Sequence, residues 1–262
     1  MPGDDRKIEK SGLKRYVGLI PAAGFGARLP DRKAAKEMLA VGHSRTPVIE
    51  HLLHCMEVAG LREVAIVLRP EKRDLTDFLQ HEKWQHMLFH LRFTPGTSGV
   101  PETVSLGLED LEECSIVFGF PDILFEPGHA VHALTDCLEE GDADIVLGLF
   151  PTGSPDKSDM VKTNKGGNVI DIEIKPRGTK LDLTWILAAW RPTFSRYLID
   201  LLQHDGDRLR RFAASSDDQQ LGQVFLLAMA DGLKIQSVAF TNGRSLDVGT
   251  EDDLRLAQAW PD

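Results

Sequence analysis

The 262-residue chain has little cysteine and little tyrosine, three residues of the first and two of the second. Cys55, Cys114 and Cys137 are widely separated, odd in number and outside any Cys-x-x-Cys pair. That pattern speaks against a disulfide framework or a thiolate metal centre and reads as reduced thiols inside the cell. No uninterrupted apolar run approaches the roughly 18 residues that cross a bilayer, so no membrane span is expected. The opening stretch MPGDDRKIEKSGLKR is charged and lacks an apolar centre, so it does not read as a secretory signal. Residues 1–15 are expected to form a loose tail, and the expected location is the cytoplasm. A Lys/Arg-rich run is missing too. Thirty basic against forty acidic residues leave a net charge of −10, which disfavours nucleic acid and membrane surfaces as partners.

What is present is ordinary for a globular protein: 42% hydrophobic and 27% charged residues, with 23 Gly and 14 Pro. A chain of this length buries roughly 70–75% of its unfolded surface and needs no staple. Short apolar runs at Tyr16–Pro21, Val64–Leu68, Leu88–Phe93, Ser115–Gly119 and Asp144–Phe150 read as strands. Helical spacing recurs between them, over Pro47–Ala59, Asp74–Gln85, Glu102–Leu111 and His129–Glu140. Such alternation predicts an α/β fold with a mainly parallel sheet flanked by helices. From Met160 to Trp190 the pattern changes to hairpin-like strands. Helices return at Pro192–Gln203, Gln219–Asp231 and Thr250–Trp260, with a strand at Lys234–Phe240. Because the βα rhythm resumes, residues 16–262 are read as one domain, its halves meeting near position 150.

The strongest chemical signal is Pro21-Ala-Ala-Gly-Phe-Gly-Ala-Arg-Leu29, followed by Lys36-Glu-Met-Leu39. Gly24 and Gly26 come directly after a strand, where glycines let backbone N–H groups approach an anion as a phosphate nest. A plain tight turn is the simpler alternative. A dinucleotide loop needs a third glycine where Leu29 stands, and a P-loop needs a Gly-Lys-Ser/Thr that is missing. The loop does carry its own cation, Arg28, and a second, Lys36, on the returning segment. Two fixed cations beside a nest suit a triphosphate.

These segments resemble the signature of the nucleotide-sugar pyrophosphorylases, the sugar-1-phosphate nucleotidyltransferases, usually written GxGTRL followed by PK. Four more segments fall in that family's order: Thr94-Pro-Gly-Thr-Ser-Gly99, Phe118-Gly-Phe-Pro-Asp122, Val169–Pro176 and Leu246-Asp-Val-Gly-Thr250. The resemblance spans about residues 16–260 and is closest in kind to glucose-1-phosphate thymidylyltransferases. It implies a Rossmann-like, GT-A-like sheet with a small β-rich acceptor lobe. Residues 16–150 would bind nucleotide and residues 151–262 the acceptor. The implied reaction is Mg2+-dependent transfer of a nucleotide from an NTP to a phosphorylated acceptor, with release of pyrophosphate.

Physical chemistry supports two of the implied residues independently. Asp122 follows a strand's carboxyl end, where open α/β sheets place ligands, and Asp247 lies at an expected strand-to-helix junction. Mg2+ takes one or two carboxylates and keeps phosphate oxygens and water as its other ligands. The alternative is that Asp247 or Thr250 only caps the last helix. By the resemblance, Arg28 would stabilise the leaving pyrophosphate and Lys36 the α-phosphate, while Asp122 and Asp247 hold the metal. The nucleotide would lie on Ala23, Gly24, Phe25, Gly26, Ala27, Thr94 and Gly99, and the acceptor on Lys175 and Trp190.

The chain also departs from the family. Ala27 replaces a threonine, Thr94 falls where a base-reading glutamine is usual, and Ile123 replaces an asparagine. Ile174 stands where the family's glutamate accepts sugar hydroxyls. Loss of such hydrogen bonds is a large specificity change. Two alternatives follow: a cytidylyltransferase acting on a polyol phosphate or phosphonate, and a non-catalytic nucleotide-sugar sensor. His51 and His54 could ligate zinc but have no carboxylate or Cys pattern nearby, and His86 and His90 lie four apart near a helix end. Oligomeric state is not legible, and a homodimer is one outcome compatible with the sequence.

Overall fold

The computed structural model describes residues 15–24, 35–212 and 219–261. Within them the first strands are β1 (Tyr16–Ala22), β2 (Ala40–Val41), β3 (Thr46–Pro47), β4 (Glu63–Leu68), β5 (Leu88–Phe93), β6 (Ser115–Gly119) and β7 (Ile123–Glu126). Later come β8 (Ile145–Pro151), β9 (Asp159–Thr163), β10 (Val169–Ile174), β11 (Leu183–Trp190), β12 (Ile235–Ala239) and β13 (Arg244–Asp247). The helices of the first half are α1 (Val48–Val58), α2 (Arg73–Leu79), α3 (Val100–Gly107) and α4 (Ala130–Glu140). Those of the second are α5 (Pro192–His204), α6 (Gly206–Phe212), α7 (Leu221–Ala230) and α8 (Glu251–Gln258). None is long and apolar enough to cross a membrane.

The main sheet runs β10-β9-β11-β6-β1-β4-β5, with β8 on the other side of β11 and β12 beyond it. Strands β6, β1, β4 and β5 are mutually parallel. Their central members are buried on both faces, as parallel strands covered by helices must be. Two apolar layers follow. Leu19, Phe118, Trp190 and Phe225 belong to the layer under α3, α5 and α7. Ile20, Val117, Leu134 and Phe150 belong to the layer under α1 and α4.

Strand β11 alters the predicted order. It inserts antiparallel between β6 and β8, so the fifth run of the alternating series, β8, leaves the parallel group and pairs in parallel only with β12. The predicted helix over 74–85 is also shorter. It stops at Leu79 and resumes as a single 3-10 turn at Glu82–Trp84.

Residues 187–190 of β11 pair with β6, whereas Thr184 of the same strand pairs with Met160 of β9. Strand β9 therefore begins where β6 ends, which sets Asp159 at the carboxyl end of the parallel strands. Asp122 emerges from the same end, after β6. A small ribbon of β7 and β13 closes it, with Asp247 opposite Ile123 and the Val248 N–H donating to the Asp122 carbonyl at 2.8 Å.

Candidate functional site

Ala22 and Ala23 end β1, and two buried cations hold their carbonyls. Lys72 Nζ donates to Ala22 O at 2.7 Å, and Arg69 Nε to Ala23 O at 2.8 Å. Arg69 also donates to the Pro95 carbonyl, which ties the residue after β1 to the loop after β5. Lys72 is satisfied on its other side by both oxygens of buried Glu37, at 2.7 and 2.8 Å. Burial pushes Glu37 up and Lys72 down, and each partner's charge resists that change. The pair thereby fixes the short turn Lys36–Met38 against β1, from which Lys36 reaches Asp122. Sequence reasoning missed Arg69, Lys72 and Glu37. The cluster Arg69-Pro-Glu-Lys-Arg73 at a strand's carboxyl end was the available signal, and it reads equally well as a solvated turn.

Lys36 meets Asp122 in a direct ion pair. Burial alone would pull the Lys36 ammonium down. The Asp122 carboxylate, with Glu37 and Asp247 nearby, outweighs that and holds it above the ordinary lysine range. Gly24 lies under the same side chain: a Cβ at Gly24 would stand 3.8 Å from Lys36 Cε and 3.9 Å from its Nζ. The structure thus brings Gly24, Lys36, Asp122 and Asp247 to one mouth of the sheet. Thr250 caps the last helix, its hydroxyl accepting from the Asp253 N–H at 3.3 Å. Phe25, Gly26, Ala27 and Arg28 lie outside the described residues, as do Asp217 and Asp218.

No three His, Cys, Asp or Glu side chains converge on a self-contained metal centre among the described residues. Asp122 and Asp247, two carboxylates that both act on Lys36, are nonetheless the donor set that Mg2+ takes when phosphate oxygens and water complete its shell. The hard oxygen donors present fit that ion.

On the loop after β5, the Thr94 hydroxyl donates to Gly96 O at 2.9 Å and accepts from Gly96 N–H at 3.2 Å. Its polarity is spent on building the turn. Gly99 precedes α3, and its missing side chain is required: a Cβ there would lie 2.5 Å from the Gln219 carbonyl oxygen.

The acceptor side differs from expectation at one aromatic. Trp190 has no exposed surface, donates from Nε1 to Ser195 Oγ at 3.0 Å, and packs on Phe118 and Phe194. Opposite Ile116, it sits at the wrong end of β11 to touch an acceptor. Trp185, at the site end of the strand, lies beside Phe120 with ring centres 5.7 Å apart. Lys175 is exposed and follows β10 with φ of 42°, a left-handed conformation that costs a lysine about 1–2 kcal/mol. Such strain commonly marks functional positions. Ile174 is paired directly with Asp159.

The histidines have structural work. His51 Nε2 accepts from the Phe125 N–H at 3.2 Å, and burial pushes its pKa down to about 4. His90 pairs with Glu63 at 3.0 Å. All three cysteines are free thiols.

No protein-family model matches the chain. Solved structures do. A Bacillus anthracis protein assigned as a glucose-1-phosphate thymidylyltransferase, in complex with sucrose, superposes with a TM-score of 0.79 at 18% identity, covering 93% of this chain and 94% of its own. A UDP-glucose pyrophosphorylase from Acinetobacter baumannii gives 0.73 at 17% identity, covering 93% and 91%. A UTP-bound UGPase from the same organism gives 0.70 at 16%, covering 93% and 92%. The class is that of a mixed, mostly parallel sheet flanked by helices. Within it, the chain has the fold of the nucleotide-sugar pyrophosphorylases.

Proposed function

We propose that the chain is a nucleotidyltransferase that joins an NTP to a sugar 1-phosphate or a similar phosphorylated acceptor and releases pyrophosphate. The observation that carries this reading is the meeting of Lys36, Asp122 and Asp247 over Gly24 at the carboxyl edge of the sheet. Phosphoryl chemistry of this kind needs little covalent help from the protein; positioning and charge neutralisation dominate. The acceptor phosphate oxygen attacks the α-phosphorus in line, and the bond to pyrophosphate breaks. Ala23, Gly24, Phe25, Gly26 and Ala27 present backbone N–H groups to the triphosphate. Arg28 neutralises the departing pyrophosphate, and Lys36 leaves Asp122 to contact the α-phosphate. Thr94 and Gly99 shape the base pocket, and Lys175 holds the acceptor phosphate. Asp122 and Asp247 would hold Mg2+, whose charge counters that of the polyphosphate. The site calls for an NTP and a small phosphorylated molecule as partners, and a net charge of −10 fits no nucleic acid.

The base stays open on this reading, because the Thr94 hydroxyl is occupied within its own turn. Ile174 likewise favours a second version, a cytidylyltransferase acting on a polyol phosphate or phosphonate. Pyrophosphate release across the NTPs, each offered a sugar 1-phosphate, a polyol phosphate and a phosphonate, separates the two. Mg2+-dependent NTP binding with no release from any pair would instead point to a sensor.

A further inference from the structure

Among the described residues, four buried side-chain polar atoms have no hydrogen-bond partner within the protein, and two of them are neighbours: Asp159 Oδ1 and Trp185 Nε1. Buried polar atoms are seldom left so, and each orphan asks for a reason. Pairing of Met160 with Thr184 sets Asp159 beside Trp185 across β9 and β11. Antiparallel partners share a face, so Ile174, opposite Asp159 on β10, completes a row at the site end of the sheet. The row sits on a fixed frame. Thr184 Oγ1 donates to the Asp159 carbonyl at 2.9 Å, and Trp185 is locked between Phe120 and Phe225, with ring centres 5.7 and 5.1 Å away. Asp159 is 9% exposed and Trp185 5%. Lys175, by its charge and its backbone N–H, and the indole N–H oppose the rise that burial imposes on the carboxylate. Even so, neither Oδ1 nor the indole nitrogen makes a hydrogen bond of normal geometry.

We propose that Asp159 and Trp185 together read a hydroxyl group of the acceptor, which donates to Asp159 Oδ1 and accepts from Trp185 Nε1–H. An orphaned acceptor beside an orphaned donor is matched by a group that is both. An ammonium would leave the indole unpaired, and a carboxylate or phosphate would be repelled by Asp159. Lys175, just beyond Ile174, supplies the cation for the acceptor's phosphate, so one small molecule spans both contacts. The carboxylate that is absent at Ile174 is thereby provided from the adjacent strand, on the same face. This proposal rests on the nucleotidyl-transfer reading and narrows its acceptor to a hydroxylated phosphate.

The test uses the wild-type protein, Asp159→Asn and Trp185→Phe, with a panel of sugar 1-phosphates and their singly deoxygenated counterparts. Acceptor binding is measured by calorimetry and turnover by pyrophosphate release. Each variant is expected to weaken a hydroxylated acceptor roughly 10- to 100-fold while the NTP KM holds within about twofold. The matching deoxy compound should bind wild type and variants alike. Asp159→Asn should also melt no lower than wild type at pH 8, so that a loss of acceptor affinity is not a loss of folding. Unchanged acceptor affinity in both variants would overturn the proposal and assign the two atoms to ordered water. Failure of every hydroxylated phosphate to bind the wild type would overturn it too. Acceptor binding that follows the expected pattern without pyrophosphate release would sustain the subsite and defeat the catalytic reading alone.

Discussion

Ile174 and Asp159 face one another directly across antiparallel strands β10 and β9. An apolar residue and a buried carboxylate opposite each other are an unfavourable pair for stability, and burial raises the Asp159 pKa to about 6. Lys175 opposes this rise by its charge and its backbone N–H and Trp185 by its indole N–H, while Gly222 of α7 packs against the carboxylate. A carboxyl group raised in the folded state favours folding when protonated. Its contribution is complete below the unfolded value near 4 and is lost as pH climbs through about 6. Asp159→Asn is therefore expected to be more stable than wild type at pH 8, by up to about 3 kcal/mol, and to lose that advantage at pH 4. Urea midpoints at the two pH values check this.

Gly222 opens the way for the same carboxylate. A Cβ at this position would lie 2.4 Å from Asp159 Oδ2 and 2.9 Å from Ile174 Cδ1. Gly222→Ala is expected to displace the Asp159 side chain, costing about 1–3 kcal/mol of stability. Acceptor kcat/KM should drop roughly tenfold, with the NTP KM little changed. Steady-state kinetics with each substrate varied in turn separates the two effects.

Lys72 and Glu37 form a buried ion pair at the end of β1. Lys72→Met leaves Glu37 buried and unpaired and should cost about 3–5 kcal/mol, whereas Lys72→Met with Glu37→Leu should recover most of that. Because Lys72 also holds the Ala22 carbonyl, both variants should bind NTP more weakly. Denaturant titration reads the first effect and calorimetry the second.

Much of the fold was legible because β1, β4, β5 and β6 are short apolar runs separated by periodic helices, a pattern with one economical solution. The insertion of β11 was not. β8 and β11 are buried almost throughout on both faces, so neither carries the alternation that would reveal direction or neighbours. The same lack of alternation hid that Trp190 is wholly buried opposite Ile116, away from the end of β11 where β6 finishes. Gly24 and Asp122 stood out in the sequence because each follows an apolar run, Lys36 as a cation returning toward the glycines, and Asp247 at a strand-to-helix junction. Asp159 did not, since what sets it apart comes from cross-strand neighbours distant in sequence, Ile174 on β10 and Trp185 on β11.

The most direct test of the central claim replaces Asp122. Wild type and Asp122→Asn are compared for Mg2+-dependent pyrophosphate release from the NTPs with a panel of phosphorylated acceptors. The account predicts release by the wild type with at least one pair, abolished by chelation of Mg2+. In the folded variant it should be lowered by roughly 100- to 1,000-fold, the scale of removing one group that stabilises transition-state charge. Equal release from Asp122→Asn, or none from any pair with folded wild type, would contradict it.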